Sequence, residues 1–394
     1  MSAFAMMFFQ DPSLLQFQKR LQDAIQKNNL TTLFGVSDIP SDTQLRDTID
    51  SCLPQQIEIV FSDYFSLLQR GKQLEPFRVL DDYYFIPIDG TQYFSSEKIH
   101  CPQCLYKTSS KAKVRYHHQI LQAAIVCPGM RQVIPLAPEP VQNSDGQDKQ
   151  DCEINAGKRM LKKIRKAHPK LRIIIGGDGL YSKQPFVTEL KANRMSFVLV
   201  AKPDDHKSLF QWVREIRQIG ETQSLTFTDL KGRIHRYEWV NEVPINANAG
   251  SDLVSFFQYR LVVNGKTTYH NSWITDLSVT SDNVVELVKI GRARWKIENE
   301  TFNTLKNQGY HIEHNYGHGK LNLSYNFFLL NLLAFLMHQI FELSDLLYQR
   351  CRKEKFTSRR EFWNQLRCTI RILVFDNWEQ ILWLILDPVN NRPP

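Results

Sequence analysis

The spacing of apolar residues changes character along the chain. Residues 12–74 read as helical, because Leu14, Leu15, Phe17, Leu21 and Ile25 fall near one helix face. Gly35 and Pro40 break that pattern, and Asp42 is placed to cap a short helix over residues 44–52. From residue 83 the chain turns strand-like, with runs at 83–88, 114–126 and 132–136. Proline and polar residues over 138–150 predict a loop, and 152–167 a helix with a strongly basic face. The unbroken apolar run at 171–175 suits a central, parallel strand buried on both faces. A helix over 182–193 and a strand over 196–201 follow. Residues 205–275 hold short β-prone runs at 225–227, 236–240 and 258–263, with turn signals such as Asn264 followed by Gly265. A long helix is expected over 283–307, then mostly helix over 321–385 with a charged break at 350–360.

Three strands, then helix, strand, helix, strand, is the element order of an RNase H-like α/β core. The expected layout is a helical N-terminal region (1–78), the first part of that core (79–204), a β-rich insertion (205–275), the second part (276–320) and a helical C-terminal region (321–394). At 394 residues there is material for two or three domains, and 42% hydrophobic content excludes global disorder. A formal charge of +8 favours a polyanionic partner. Seven scattered cysteines, an odd number, do not form a disulfide framework and point to a reducing cytosol. Residues 1–10 lack the basic start and cleavage site of a signal peptide. The apolar run at 327–340 is shorter than a membrane span and carries Asn331, His338 and Gln339, so a buried helix in a soluble protein is expected.

Three acids stand in separate settings. Asp89 follows the apolar run that starts at Tyr83, and Gly90 comes next; Asp178 follows Ile173, Ile174 and Ile175 and is flanked by Gly177 and Gly179. Each alone reads better as a strand cap or an Asx turn, and only the third acid turns the balance. Glu298 lies in the helical segment 292–300, one turn after Arg294. Two aspartates at strand ends and a glutamate from a later helix suit a site for two divalent metals, which catalyse in-line displacement at phosphorus. On that helix Arg294 would bind a phosphate or steady the carboxylate, and Lys306, about two turns beyond Glu298, would reach a nucleic-acid backbone.

With these residues the chain resembles an insertion-sequence DDE transposase of the subgroup with a Tyr-Arg-Glu-Lys signature. Arg294 and Glu298 satisfy the Arg-x3-Glu spacing; the tyrosine position is Gly291, and Lys306 follows Glu298 after seven residues where the signature has six. Counting from Glu300 gives five, and Glu300 is the alternative third acid. The run Asp89, Gly90, Thr91 with Tyr93 and Phe94, and the segment 313–319, also resemble this family. The resemblance implies a DNA transposase of the prokaryotic cytosol or nucleoid that cuts transposon ends and joins the 3′-hydroxyl to target DNA. It implies Mg2+ or Mn2+ as two ions, with Asp89 and Asp178 sharing one and Glu298 completing the second site, and a homodimer assembled on double-stranded DNA. Two other readings stay open: a nuclease that cuts without joining, and a non-catalytic DNA-binding descendant.

Two further groups carry chemistry. Cys101 and Cys104, with His117 and His118 twelve residues on, partly match zinc-finger spacing. Adjacent strand residues face opposite ways, so only one histidine could join the cysteines. A structural Zn2+ site would use Cys101, Cys104 and His117, with His100 or Cys127 completing it. The alternative is a hairpin bearing unbonded thiols whose His117 or His118 contacts the active site or DNA. Lys158, Lys162 and Arg165, among other basic residues of the 152–167 helix, would position phosphates. His318 is expected to touch DNA, ahead of a metal role shared with His311 and His314. The basic residues between 350 and 360 receive no role, and the N-terminal helices suit either a small DNA-binding module or packing on the core.

Overall fold

The computed structural model describes residues 1–11, 14, 15, 17, 24–37, 40–110, 113–142 and 150–390; Leu21, expected on an apolar stripe, lies outside them. Among the described residues, the helices α1 (Ser2–Phe8), α2 (Ala24–Phe34), α3 (Asp42–Ser51) and α4 (Pro54–Arg70) precede the sheet. The cap of α3 is Ser41, one residue before the expected Asp42, its side chain accepting from the Gln44 N–H.

The central strands are β1 (Arg78–Val79), β2 (Tyr83–Ser96), β3 (Leu105–Thr108), β4 (Val114–Ile125), β5 (Ile134–Pro135), β6 (Glu139–Val141), β7 (Ile173–Gly177) and β8 (Ser196–Val200). Helix α5 (Glu153–Ala167) precedes β7, and α6 (Gln184–Ala192) joins β7 to β8. The spatial order β3-β4-β2-β7-β8 has β4 antiparallel to β2, and β7 and β8 parallel to it. With β6 on β4, this is the RNase H-like arrangement expected from the element order. Strand β7 is buried along its whole length, as a central parallel strand must be.

After α7 (Lys207–Gln218), four antiparallel strands continue the same sheet: β9 (Gln223–Thr228), β10 (Ile234–Pro244), β11 (Leu253–Val263) and β12 (Lys266–Thr275). Strand β12 pairs with β8 through Trp273 opposite Val200, so the insertion is hydrogen-bonded to the core edge. The chain then forms α8 (Val284–Ala293), a π-helical turn (Ile297–Phe302) and α9 (Asn303–Asn307), followed by α10 (Leu323–Ser344), α11 (Leu346–Lys355), α12 (Arg359–Ile372) and α13 (Trp378–Leu386).

Three expectations change. Strand β2 runs fourteen residues, so Asp89 lies mid-strand, opposite Gln122 of β4, and not at a strand end. The expected helix over 283–307 is broken near Arg294 to Lys296 and resumes as a π turn. The apolar run at 327–340 belongs to a 22-residue helix that is long and apolar enough to cross a membrane. Most of α10 is nevertheless buried against α1, α3, α4 and β5, which makes it a core helix.

Asp50 of α3 holds the start of α10. Its carboxylate accepts from the backbone N–H groups of Lys320, Leu321, Asn322 and Leu323 at 2.8–3.0 Å. Burial pushes its pKa up, but the four N–H donors together outweigh this and hold it below the ordinary carboxylate value. The ionised form is thus favoured by folding, so its stabilisation is present above the unfolded value and fades as pH falls through the lower folded one. We expect Asp50→Ala to cost about 1–2 kcal/mol in urea unfolding at pH 7, by loss of a capping carboxylate. The wild-type advantage over the variant should shrink in acid.

Candidate active site

Strand pairing brings the two aspartates together. In the β2–β7 ladder Tyr84 lies opposite Ile173 and Pro87 opposite Gly176. Continuing that parallel register by two residues sets Asp178 beside Asp89, at about the 4.8 Å strand spacing. Gly176 is required by packing: a Cβ there would sit 2.4 Å from the Phe85 ring. Beyond β7, the Asp178 carboxylate accepts from the Leu180 N–H at 2.9 Å in an Asx turn. Ser182 braces the turn, donating to the Gly179 carbonyl and contacting His206 Nε2 at 2.7 Å.

The third acid arrives on the π turn, which packs against β2. Arg294 joins it to the first: Nη1 lies 3.3 Å from Asp89 Oδ2, and Nη2 lies 3.1 Å from Glu298 Oε1. Glu300 points elsewhere, with Arg131 3.9 Å away. Burial is the main force raising the Asp89 carboxyl to about 7; Arg294 opposes it, and the charges of Glu298 and Asp178 add to the rise. All three acids therefore share one electrostatic neighbourhood.

A cleft of about 600 Å³ opens on this neighbourhood, lined by Asp178, Lys202, Tyr269, Asn271, Arg292, Arg294 and Trp295. Arg292 lies over the Tyr269 ring at 4.6 Å, and Trp295 is about half exposed. Lys202, Tyr269 and Asn271 escaped the sequence reading because two of them come from β12, which reaches the core only through its pairing with β8. A fourth carboxylate was also missed. Glu153, at the start of α5, accepts from Gln119 and from the Tyr181 hydroxyl, and its Oε1 is 2.5 Å from where a Cβ on Gly90 would lie.

Other expected site residues are placed differently. Lys306 pairs with exposed Glu313 at 2.8 Å. Arg165 donates to the carbonyls of Asn193, His168, Pro169, Leu171 and Arg194, so it ties α5 to its neighbours and presents no free guanidinium to phosphate. Lys162 lies 3.5 Å from Glu189, whereas Lys158 meets no acid among the described residues. His117 is turned away from the cysteines: their partner is its neighbour His118, joined by His318, which was expected on DNA. His100 and Cys127 are not in that group, nor are His311 and His314.

Asp89, Asp178 and Glu298 are acids of the donor type that divalent cations take. Among the described residues, however, the group of side chains close enough to share one ion is Cys101, Cys104, His118 and His318. The three acids offer hard carboxylate oxygens, suited to Mg2+ or Mn2+, and a guanidinium already compensates charge between two of them. This donor set, on an RNase H-like sheet, supports metal-assisted displacement at phosphorus. A family model for the transposase DDE domain matches residues 86–337, well over half of the chain. The chain belongs to this family: it is a DNA-acting transposase, an enzyme of DNA transposition and recombination, whose relatives generally use divalent metals. Among curated proteins none matches.

The raised Asp89 carboxyl gives a pH signature in metal-free protein. The folded state binds this proton more tightly than the unfolded state, so stability from this group falls as pH rises from about 4 to about 7. Asp89→Asn should remove that slope, measured as urea midpoints at a series of pH values. An unchanged slope would show that Asp89 titrates normally.

Proposed function

We propose that the protein cuts the ends of its insertion sequence and joins the freed 3′-hydroxyls to target DNA. Asp89, Asp178 and Glu298 are its catalytic acids and hold two divalent ions, Mg2+ or Mn2+. The observation that carries this reading is the guanidinium of Arg294, shared between Asp89 and Glu298. When bound, the ions would lower the pKa of the attacking water or hydroxyl and neutralise charge on the leaving oxygen. In the first step water attacks phosphorus and a 3′-oxygen leaves, taking up a proton. In the second that 3′-hydroxyl attacks a target phosphate, loses its proton, and the target's 3′-oxygen leaves. With the acids holding metal, Arg294 would be available to bind the phosphate, while Lys202 and Arg292 line the cleft beside the acids. Lys158 adds positive charge along α5. The active species is a homodimer on paired ends.

The Tyr-Arg-Glu-Lys signature accounts for Glu298 over Glu300. A π turn accommodates one residue more than an α-helical turn. Lys306 follows Glu298 after seven residues, and the extra residue in the π turn returns it to the face that a lysine after six would occupy on a regular helix. Gly291 replaces the signature tyrosine because the Trp273 indole occupies that space, 2.7 Å from where a Cβ would be. Lys306 then exchanges the exposed Glu313 for a DNA phosphate.

Excision and strand transfer, assayed with Mg2+ on the DNA flanking this gene, test the reading. Asp89→Asn, Asp178→Asn and Glu298→Gln should each lower cleavage by roughly 10³-fold or more while leaving DNA binding intact. Glu300→Gln should cost about tenfold or less, as expected for a residue outside the metal ligands. Cleavage without joined products would leave a nuclease, and binding without cleavage a non-catalytic descendant.

A further inference from the structure

Away from the carboxylates, four side chains converge on one point. The donor atoms of Cys101, Cys104, His118 and His318 all lie within 4.8 Å of one another. Cys101 and Cys104 flank a tight turn before β3, closed by the Cys104 N–H donating to the Cys101 carbonyl at 3.1 Å. His118 comes from β4, and His318 from the segment between α9 and α10, two hundred residues later. Both thiols are free.

The separations discriminate between crowding and coordination. Tetrahedral zinc, with Zn–S about 2.3 Å and Zn–N about 2.05 Å, sets its ligands about 3.8 Å apart for two sulfurs, about 3.6 Å for sulfur and nitrogen, and about 3.3 Å for two nitrogens. Here Cys101 Sγ and Cys104 Sγ are 3.8 Å apart. His118 Nε2 is 3.7 Å from Cys101 Sγ and 3.4 Å from Cys104 Sγ, and His318 Nε2 is 3.5 Å from Cys104 Sγ. The two Nε2 atoms are 3.1 Å apart. These five edges agree to within about 0.2 Å, the tolerance for a credible site, and the sixth, from Cys101 Sγ to His318 Nε2, is within 4.8 Å. Second-sphere contacts agree as well. His318 Nδ1 donates to the Gly319 carbonyl at 3.1 Å, the tautomer that leaves Nε2 a lone pair for metal. The rings of Tyr93 and Phe94 pack on the two imidazoles and give the cluster an apolar wall.

We propose that Cys101, Cys104, His118 and His318 form a structural Zn2+ site. Four protein ligands leave no open position, so the ion has no catalytic part and acts as a clamp. It fastens the turn after β2, the strand of Asp89, to the segment that leads from the Glu298 turn into α10. The proposal does not depend on the reaction assigned above.

The metal content of the purified, untagged wild-type chain is the primary test. One zinc per chain is expected, and cobalt reconstitution of stripped protein should give the intense visible bands of a tetrahedral Co2+ ion with thiolate charge transfer. Cys104→Ser and His118→Asn should lose the zinc. His318→Ala, at the half-exposed ligand, should retain a weaker ion with a shifted cobalt spectrum, and His117→Gln should keep both stoichiometry and spectrum. Wild type with no bound zinc and no tetrahedral cobalt spectrum would overturn the proposal. So would a Cys101–Cys104 disulfide in the protein isolated from cells, or loss of metal in His117→Gln with retention in His118→Asn.

Discussion

Arg294 is the interaction on which the rest of the site depends. It places one positive charge between two carboxylates that come from elements two hundred residues apart, and it is itself largely buried. Two like charges a strand spacing apart repel by about 3 kcal/mol at an effective dielectric of 20. Burial raises the Asp89 carboxyl to about 7 although Arg294 opposes it, and the charges of Glu298 and Asp178 add to the rise. The strand that leads to Asp178, β7, is buried throughout and is flanked on both sides by hydrogen-bonded strands.

The chemistry of the site was legible where it rested on local pattern. An apolar run ending in Gly-Gly-Asp-Gly marks β7 and Asp178, and the four-residue spacing of Arg294 and Glu298 gave their contact directly. What stayed hidden was set by pairing over long distances. Asp89 reads as a strand end because glycine follows it, yet β4 supplies partners as far as Ser96. The π turn leaves no local signature in an otherwise helical pattern. The choice between His117 and His118 depended on how β4 lies against a β2 that is bulged between Gln92 and Phe94, which puts Phe94 opposite His118. The fourth member of that cluster lies two hundred residues away, and no spacing rule reaches so far.

Charge shows the same limit. The basic run on α5 reads as a phosphate-binding face, but distant elements answer most of it: Lys163 meets Glu58, Arg159 meets Glu139 and Asp151, and Arg165 is spent on carbonyls. These pairs fasten α5 to the helical region and to β6. The positive charge facing the acids comes from Lys202, Arg292 and Arg294, which are not a run in sequence and become a patch only when β8, β12 and α8 meet. Net charge therefore agrees with a DNA partner but carries no information on which surface meets it.

The remaining constraint concerns how Glu298 keeps its distance from Asp89. Strand register fixes Asp89 against Asp178, whereas the Glu298 turn is joined to β2 by packing and by one arginine that DNA would compete for. The helical segment that carries Glu298 ends at Asn307, nine residues beyond it. The chain that follows is tied down twice: Asp50 gathers four backbone N–H groups at 320–323, and His318 reaches back to Cys104 and His118. These ties lead to α10, a largely buried helix, and to the turn after β2. The Glu298 turn is thus followed by a segment fixed at two points, by Asp50 to α3 and by His318 to the turn after β2.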